Sequence, residues 1–424
     1  MELALLAVVT FELVFFGGLP RLRCCGPSDG RKHSRRGIVR EFSINSDAAH
    51  RWNRPSIAGD GLERLSDYHR HERTCNQEQH ASRAWRSIFA REAEQASGHL
   101  QQPLRRAARK AFLWPDEAYD LVLAKRSLTE LEGIGPSLSR RIHEWIDEPP
   151  VIVSPPQTRR EFLTCAQARR VLASHPKWYA KLGGDLHMHT VWSDGSTTVA
   201  EMAQAAKERR YRFIAITDHT KGLKIANGLN EERLVEQGNE IDAANAALAV
   251  QGADLVILKS AEVNLSPLGE PDMHESALSK LDLVVGSFHS ALRRTEDQTN
   301  RYLAALRNKS IHILGHPQTR IFNYREGLRA DRSRIFAEAA QLDKAVEIDG
   351  YADRQDLKVS LLRLARKEGA RISLGTDAHH PWQLAFMDFS LAAAQLAGFS
   401  KERMLNFLSV QELRSWAARI SIRN

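Results

Sequence analysis

Seven short stretches in the second half of the chain run from hydrophobic residues into a histidine or a carboxylate. They are Asp185-Leu-His187-Met-His189, Thr217-Asp218-His219, Ala261-Glu262-Val263, Gly286-Ser-Phe-His289, Gly315-His316-Pro317, Val346-Glu347-Ile348-Asp349 and Gly375-Thr-Asp377-Ala-His379. Imidazole nitrogens and carboxylate oxygens ligate divalent metal ions, and such chemistry needs several of them at one point. His187 and His189 are two residues apart, so on a strand end both face one side and can chelate one ion. Asp194 follows in the turn Trp192-Ser-Asp-Gly195. With His219, Glu262, His289, His316, Asp377 and His379 the set holds six histidines and three carboxylates. Its formal charge of −3 with neutral imidazoles suits two or three divalent cations, and Glu262 is placed to bridge neighbouring ions. Zn²⁺, Mn²⁺ and Fe²⁺ all accept such a set, and the residues do not choose among them. His274, His312 and His380 are left as ordinary core or surface histidines.

A parallel βα barrel gathers many strand ends at one place and carries its site at their C-terminal ends. The pattern predicts strands near 184–188, 212–217, 255–261, 282–287, 311–315, 345–348 and 371–375. Helices are expected over 199–210, 231–249, 273–280, 296–308, 331–341, 357–368 and 382–397, the first opened by the capping box Thr198-Val-Ala-Glu201. Phe213-Ile-Ala-Ile216, Leu255-Val-Ile-Leu258 and Leu283-Val-Val285 are almost wholly apolar, as parallel strands buried on both faces must be. Seven such units point to a closed or nearly closed TIM-like barrel, one unit short of eight.

The first half differs in charge. Residues 1–182 hold 29 Lys+Arg against 21 Asp+Glu, whereas residues 183–424 hold 31 of each. All of the net charge of +8 therefore lies in front, which suits a polyanion partner or is simply a solvated basic surface. Cys24, Cys25, Cys75 and Cys165 have neither zinc spacing nor a disulfide framework, so a reduced, cytoplasmic setting is expected. Residues 3–16 are apolar but contain Glu12, lack a basic segment in front and are short for a bilayer span. They read as an extension or an upstream start rather than a leader, and no membrane association is expected. Residues 1–60 as a whole read as flexible.

Residues 61–148 read as helical. Leu128 and Leu131 fit one short helix, Leu138, Ile142 and Trp145 the apolar stripe of a second, and Gly133-Ile134-Gly135-Pro136 the turn between them. Helix N-terminal N–H groups attract phosphate, and Arg140 and Arg141 add charge there. This resembles a helix-hairpin-helix, which grips a DNA backbone without regard to sequence; the alternative is an ordinary helix–turn–helix packing element. Residues 149–157, with four prolines, open a linker and docking segment over 149–182, in which Trp178 and Tyr179 are placed to dock on the next domain.

The segments Asp-Leu-His-Met-His-Thr-x-Trp-Ser-Asp-Gly, Thr-Asp-His-Thr, Gly-Ser-Phe-His-Ser, Gly-His-Pro and Gly-Thr-Asp-Ala-His resemble the motifs of the PHP (polymerase and histidinol phosphatase) superfamily. The similarity covers about residues 183–410 and is closest to the PHP module of bacterial family X DNA polymerases. Glu347-Ile-Asp349-Gly-Tyr-Ala-Asp-Arg354-Gln-Asp356-Leu is similar to their Glu-Ile-Asn…Arg-x-Asp-Leu stretch, with Asp349 in place of asparagine. The resemblance implies a distorted (βα)7 barrel over 183–424 with a trinuclear metal site. It also implies His187, His189, Asp194, His219, Glu262, His289, His316, Asp377 and His379 as the ligands. The hairpin and the Arg105-Arg-Ala-Ala-Arg109 helix look like the N-terminal part of the same polymerases. Only residues 149–182 separate hairpin from barrel, too few for a polymerase palm, and no paired-Asp strand is found, so DNA synthesis is not expected.

The expected activity is metal-dependent phosphoester hydrolysis, with DNA 3′–5′ exonuclease or 3′-end processing in repair ahead of a small-molecule phosphomonoesterase of the histidinol-phosphatase type. A non-catalytic DNA-binding protein with a structural metal fits poorly, since structural sites rarely exceed four ligands. Asp218 is a candidate to orient His219 or accept a proton. Arg293, Arg294 and Arg320 are candidates to contact phosphate, or else ordinary loop charges. Gly133, Ile134, Gly135, Arg140 and Arg141 are candidates to contact DNA. No obligate protein partner is inferred.

Overall fold

The computed structural model describes residues 85–148, 150 and 154–423. The expectations for residues 1–60, for 61–84 and for 151–153 lie outside the described residues.

Four helices open the described chain: α1 (Trp85–Gln95), α2 (Gln101–Lys110), α3 (Ala118–Leu123) and α4 (Pro136–Asp147). Phe89, Trp114 and Trp145 meet edge to face, with ring centroids 6.0 and 5.8 Å from Phe89. Ile134, Leu138 and Ile142 of the hairpin join the same core. Its first arm is a single 3₁₀ turn, Leu128–Glu130, begun by the Ser127 hydroxyl accepting from the Thr129 N–H. Gly133 needs its freedom, with φ +86°. Gly135 does not: it sits at φ −91° as the N-cap of α4, with Pro136 preset at the first helical position.

Residues 154–182 are knitted into both sides. Arg86 donates to the Phe162 carbonyl at 2.6 Å, the Cys165 N–H to the Phe112 carbonyl at 2.8 Å, and the Leu163 N–H to Gln355 Oε1 at 2.7 Å. Phe162 and Phe322 pack edge to face on Phe112, so helical region and barrel share an aromatic seam. Helix α5 (Cys165–Ala173) starts with a Thr164/Gln167 capping box, and α6 (Pro176–Tyr179) sets Trp178 against Phe407.

The barrel strands are β1 (Gly184–Met188), β2 (Phe213–Ile216), β3 (Val256–Asn264), β4 (Leu283–Ser287), β5 (Ile313–Leu314), β6 (Ala345–Asp349) and β7 (Arg371–Gly375). They pair in sequence order, all parallel. A bridge from Met188 to Ala378, with the His189 N–H donating to the Ala378 carbonyl at 2.7 Å, brings the last strand end back to the first. The outer helices are α7 (Val199–Glu208), α8 (Glu231–Val250), α9 (Glu275–Leu278), α10 (Thr299–Arg307), α11 (Arg332–Gln341), α12 (Val359–Lys367) and α13 (Met387–Ala397). Most match expectation. The 273–280 helix shrinks to one turn, β5 to two residues, and residues 381–386 form a 3₁₀ lead-in to α13.

Alternation along the strands builds the interior in layers. Leu186, Phe213, Ala215, Leu258, Leu283, Val285, Ile313 and Ala345 fill the lower interior. A final helix that the sequence reading did not foresee, α14 (Val410–Arg423), seals this layer with Leu413, Trp416 and Ile420. Toward the C-terminal strand ends the interior turns polar, with buried Ser260, Glu262, Ser287, Glu347 and Ser373. Strand β1 breaks the alternation: Leu186 is in the interior layer and His187 reaches the polar cluster, with a register shift between Asp185 and Met188. Among the described residues no helix is long and apolar enough to cross a membrane.

Candidate metal centre

Glu262, near the end of β3 and fully buried, is the hub. Its Oε1 lies 2.7 Å from His316 Nε2 and 3.2 Å from His289 Nε2. Its Oε2 lies 2.8 Å from His219 Nδ1, 3.5 Å from His187 Nε2 and 3.7 Å from His189 Nε2. Asp377 Oδ1 stands 2.9 Å from His189 Nε2. Asp194 forms the outer edge: its Oδ1 is 3.3 Å from His379 Nε2 and its Oδ2 3.7 Å from His219 Nε2. All nine residues expected as ligands thus meet in one cluster. Asp194 and His379 keep 29% and 24% of their side chains exposed, so the cluster opens to solvent on that side.

Three overlapping sets bring ligand atoms within 4.8 Å of one another: His189/Asp194/His219/His379, His187/His189/Glu262 and His219/Glu262/His289. Whether these residues fit cations can be tested on their hydrogen bonds. His187 Nε2, both nitrogens of His189, His219 Nδ1 and Glu262 Oε2 are buried and have no hydrogen-bond partner. Orphaned buried polar atoms are costly, and here they crowd together, His219 Nδ1 standing 2.8 Å from Glu262 Oε2. Nitrogens and oxygens so placed fit two or three divalent cations.

Charge within the cluster gives the same answer. Burial opposes the charged form of His219, but Asp194 and Glu262 raise its pKa to about 9. Burial, with His379 and His219 alongside, lowers His189 to about 3. Burial works against ionised Glu262 too, yet the surrounding imidazoles hold it well below the usual carboxylate range. With protein groups alone, protons on some imidazoles balance the carboxylates; cations would take that part.

Several of the candidate ligands have their second ring nitrogen tied down, which turns Nε2 inward. His187 Nδ1 is 2.7 Å from Glu347 Oε1, His289 Nδ1 is 3.2 Å from Asn264 Oδ1, and His379 Nδ1 is 2.8 Å from the Asp377 carbonyl. Glu347 also accepts the His316 N–H at 2.7 Å. The sequence reading placed Glu347 at a strand end but gave it no role; its position on β6, two residues before Asp349, was the available signal. Gly375 lets this carboxylate in, since a Cβ there would stand 2.3 Å from Glu347 Oε1. Asp377 holds a left-handed backbone, φ +52°, and its Oδ2 accepts from Arg354. Asp349, at the position of asparagine in the similar polymerases, is fully buried, and burial with Asp377 nearby keeps its pKa well above normal. A neutral carboxyl offers a C=O and an O–H much as an amide offers a C=O and an N–H.

The other candidates fall into place separately. Asp218 accepts from the Thr190 N–H (2.7 Å) and hydroxyl (2.6 Å), from Ser193 Oγ (2.5 Å) and from Gln237 Nε2 (2.6 Å). Burial raises it to about 6 against those bonds. Four donors leave it fixing the 190–195 turn that carries Asp194, not positioned to take a proton. Arg320 is buried with its guanidinium 3.6 Å from the Phe162 ring centroid and donates to the Arg160 and Glu161 carbonyls, which accounts for it as packing instead of phosphate contact. Arg293 and Arg294 are exposed on the loop after His289. Arg141 reaches Glu92 Oε2 at 2.9 Å and lies over Trp145, while Arg140 is exposed beside the hairpin.

A scan for protein families matches residues 185–357 to the PHP domain. Residues 185–357 are a PHP domain. A Bacillus subtilis protein described as DNA polymerase/3′-5′ exonuclease PolX is 35% identical over 240 residues, which cover 56% of this chain and 41% of that one. The chain thus spans well under half the length of that relative. A probable phosphatase of Caldicellulosiruptor saccharolyticus is 26% identical over 233 residues, 52% of this chain and 90% of its own. Among solved structures, histidinol phosphate phosphatase from Lactococcus lactis, complexed with zinc, L-histidinol and phosphate, aligns at TM-score 0.36 and 18% identity, covering 51% of this chain and 94% of that one. The ligand cluster extends past the matched segment of the PHP domain, since Asp377 and His379 follow residue 357.

Proposed function

We propose that this protein is a metal-dependent phosphoesterase that shortens or trims DNA from its 3′ end. The hydrolytic part is supported by the cluster around Glu262 and by the PHP domain. The choice of DNA is carried by one observation: the helical region that contains the hairpin packs, through Phe112, on the loop after β5, which in turn bonds the loop after β6, at the end of the barrel where the candidate ligands gather. Phe322 of the β5 loop sits 4.9 Å from Phe112, and its N–H donates to Asp353 of the β6 loop. The relative described as an exonuclease adds weight.

In this reading the nine side chains hold two or three divalent cations, which would lower the pKa of a water and offset charge on the phosphate and its leaving oxygen. Glu347, Asn264 and the Asp377 carbonyl fix the rings of His187, His289 and His379, so the nitrogens need not reorganise as charge develops. Asp218 fixes the turn of Asp194. Arg354, whose guanidinium already meets Asp377, is the candidate to approach a phosphate oxygen.

A second reading is a small-molecule phosphomonoesterase, favoured by probable phosphatases that match the barrel over about nine-tenths of their own length. The readings separate through the hairpin. Arg140→Ala should reduce the salt dependence of oligonucleotide binding by roughly one unit of slope, as loss of one phosphate contact does. It should leave hydrolysis of p-nitrophenyl phosphate unchanged. An unchanged salt slope, with phosphomonoester turnover far exceeding that of oligonucleotides, favours the second reading.

A further inference from the structure

The loop after His316 doubles back between Ile321 and Arg325. One side of it is anchored: Phe322 packs on Phe112 and Phe162, the Asn323 N–H donates to the Thr158 carbonyl at 2.9 Å, and Asn323 Oδ1 accepts from Arg159 at 2.6 Å. The next residue, Tyr324, is turned outward, with 41% of its surface exposed. Its hydroxyl meets the guanidinium of Arg293, four residues beyond ligand His289 on the neighbouring loop. The guanidinium carbons of Arg293 and Arg325 lie 5.8 and 6.0 Å from the ring centroid.

The exposed ring sits on one loop that carries a cluster histidine and is bonded through its hydroxyl to an arginine on another. A rigid ring costs little entropy on binding and stacks on any base, and guanidinium groups around it favour a polyanion. Arg325 also lines a small pocket with Arg160 and Lys358; Glu326 stands in its wall, and Glu161 lies 3.7 Å from the Lys358 ammonium. Its wall includes Gln157, Thr158, Arg160 and Phe162, from the segment that joins the barrel to the helical region.

We infer that Tyr324, held by Arg293, is a stacking platform for a base of single-stranded nucleic acid, and that Arg325, Arg160 and Lys358 line the path of the adjoining phosphates. This rests on the nucleic-acid reading of the site and extends it: the terminal stretch would be presented unpaired, with one base on the ring while its phosphate reaches the cluster. Recognition by stacking tolerates any base, as a trimming enzyme requires.

The test is binding of a fluorescein-labelled oligothymidylate and of an abasic oligonucleotide of equal length and charge, followed by anisotropy with chelator present so that nothing is turned over. Wild-type protein should prefer the oligothymidylate. Tyr324→Ala should lose roughly 5- to 150-fold in affinity for it, the range of one base–aromatic stack. The same variant should bind the abasic strand about as wild type does, so that the preference disappears. Tyr324→Trp should keep the preference, and unchanged melting temperatures would show that the exposed site tolerates both changes. Equal binding of the two strands by wild type, or an intact preference in Tyr324→Ala, overturns the inference. A lost preference in Tyr324→Ala beside a wild type that binds but never shortens the strand supports the platform and sinks the exonuclease reading; shortening without any preference does the reverse.

Discussion

Glu262→Gln should abolish hydrolysis and strip the protein of most of its bound metal. Five imidazoles approach this one carboxylate, at 2.7 to 3.7 Å. Its Oε2 is buried without a hydrogen-bond partner, and Glu262 belongs to two of the three overlapping ligand sets. The amide keeps size and shape but removes a full negative charge, taking the site from −3 to −2, and turns an NH₂ toward nitrogens that must also point at cations. The fall in kcat/KM should exceed the roughly 10- to 100-fold typical of a residue that merely supports a ligand. Metal content by mass spectrometry, with kcat/KM on an oligonucleotide, checks it; near-normal values of both would remove Glu262 from the centre.

Glu347→Gln should cost roughly 10- to 100-fold in metal affinity, with activity recovering at high metal concentration. Both oxygens of Glu347 face donors: Oε1 the His187 ring at 2.7 Å and Oε2 the His316 N–H at 2.7 Å. An amide has one accepting oxygen, so one of those donors must meet an NH₂. The His187 ring loses its fixed tautomer, or the backbone of the His316 turn shifts. Neither removes a ligand, which is why added metal should rescue the variant, whereas Glu262→Gln should stay inactive. A titration of activity against Mn²⁺ distinguishes them: a shifted midpoint with a normal plateau is expected for Glu347→Gln, and a lowered plateau would make Glu347 more than a support.

The barrel was legible in the sequence because each candidate ligand is tied to a local pattern. A parallel strand buried on both faces reads as an apolar run, and its end is marked by the polar residue that follows. Seven repeats therefore announced the barrel, and the polar residues at their ends the candidate site. What was not legible depends on packing across the barrel. Glu347 has the same local appearance as Glu262, and only the approach of His187 from β1 makes it a support. The register shift in β1 leaves no mark in Asp185-Leu-His-Met-His. The sealing role of α14 requires knowing that Trp416 faces an open barrel end. Arg320 looks like a phosphate contact from its place after His316-Pro-Gln, yet Phe162, far away in the chain, claims its guanidinium. The proline-rich stretch suggested a spacer, but the residues after it carry Phe162 and Cys165, whose partners lie on both sides.

The most direct measurement is the fate of a 5′-labelled oligonucleotide incubated with the purified full chain and Mn²⁺, beside a His187→Ala control. A ladder of products shortened from the 3′ end, absent in the control and after chelation, is the result expected here. An intact oligonucleotide under conditions where the same preparation releases phosphate from a small phosphomonoester, again dependent on His187, would keep the metal centre and contradict its assignment to DNA.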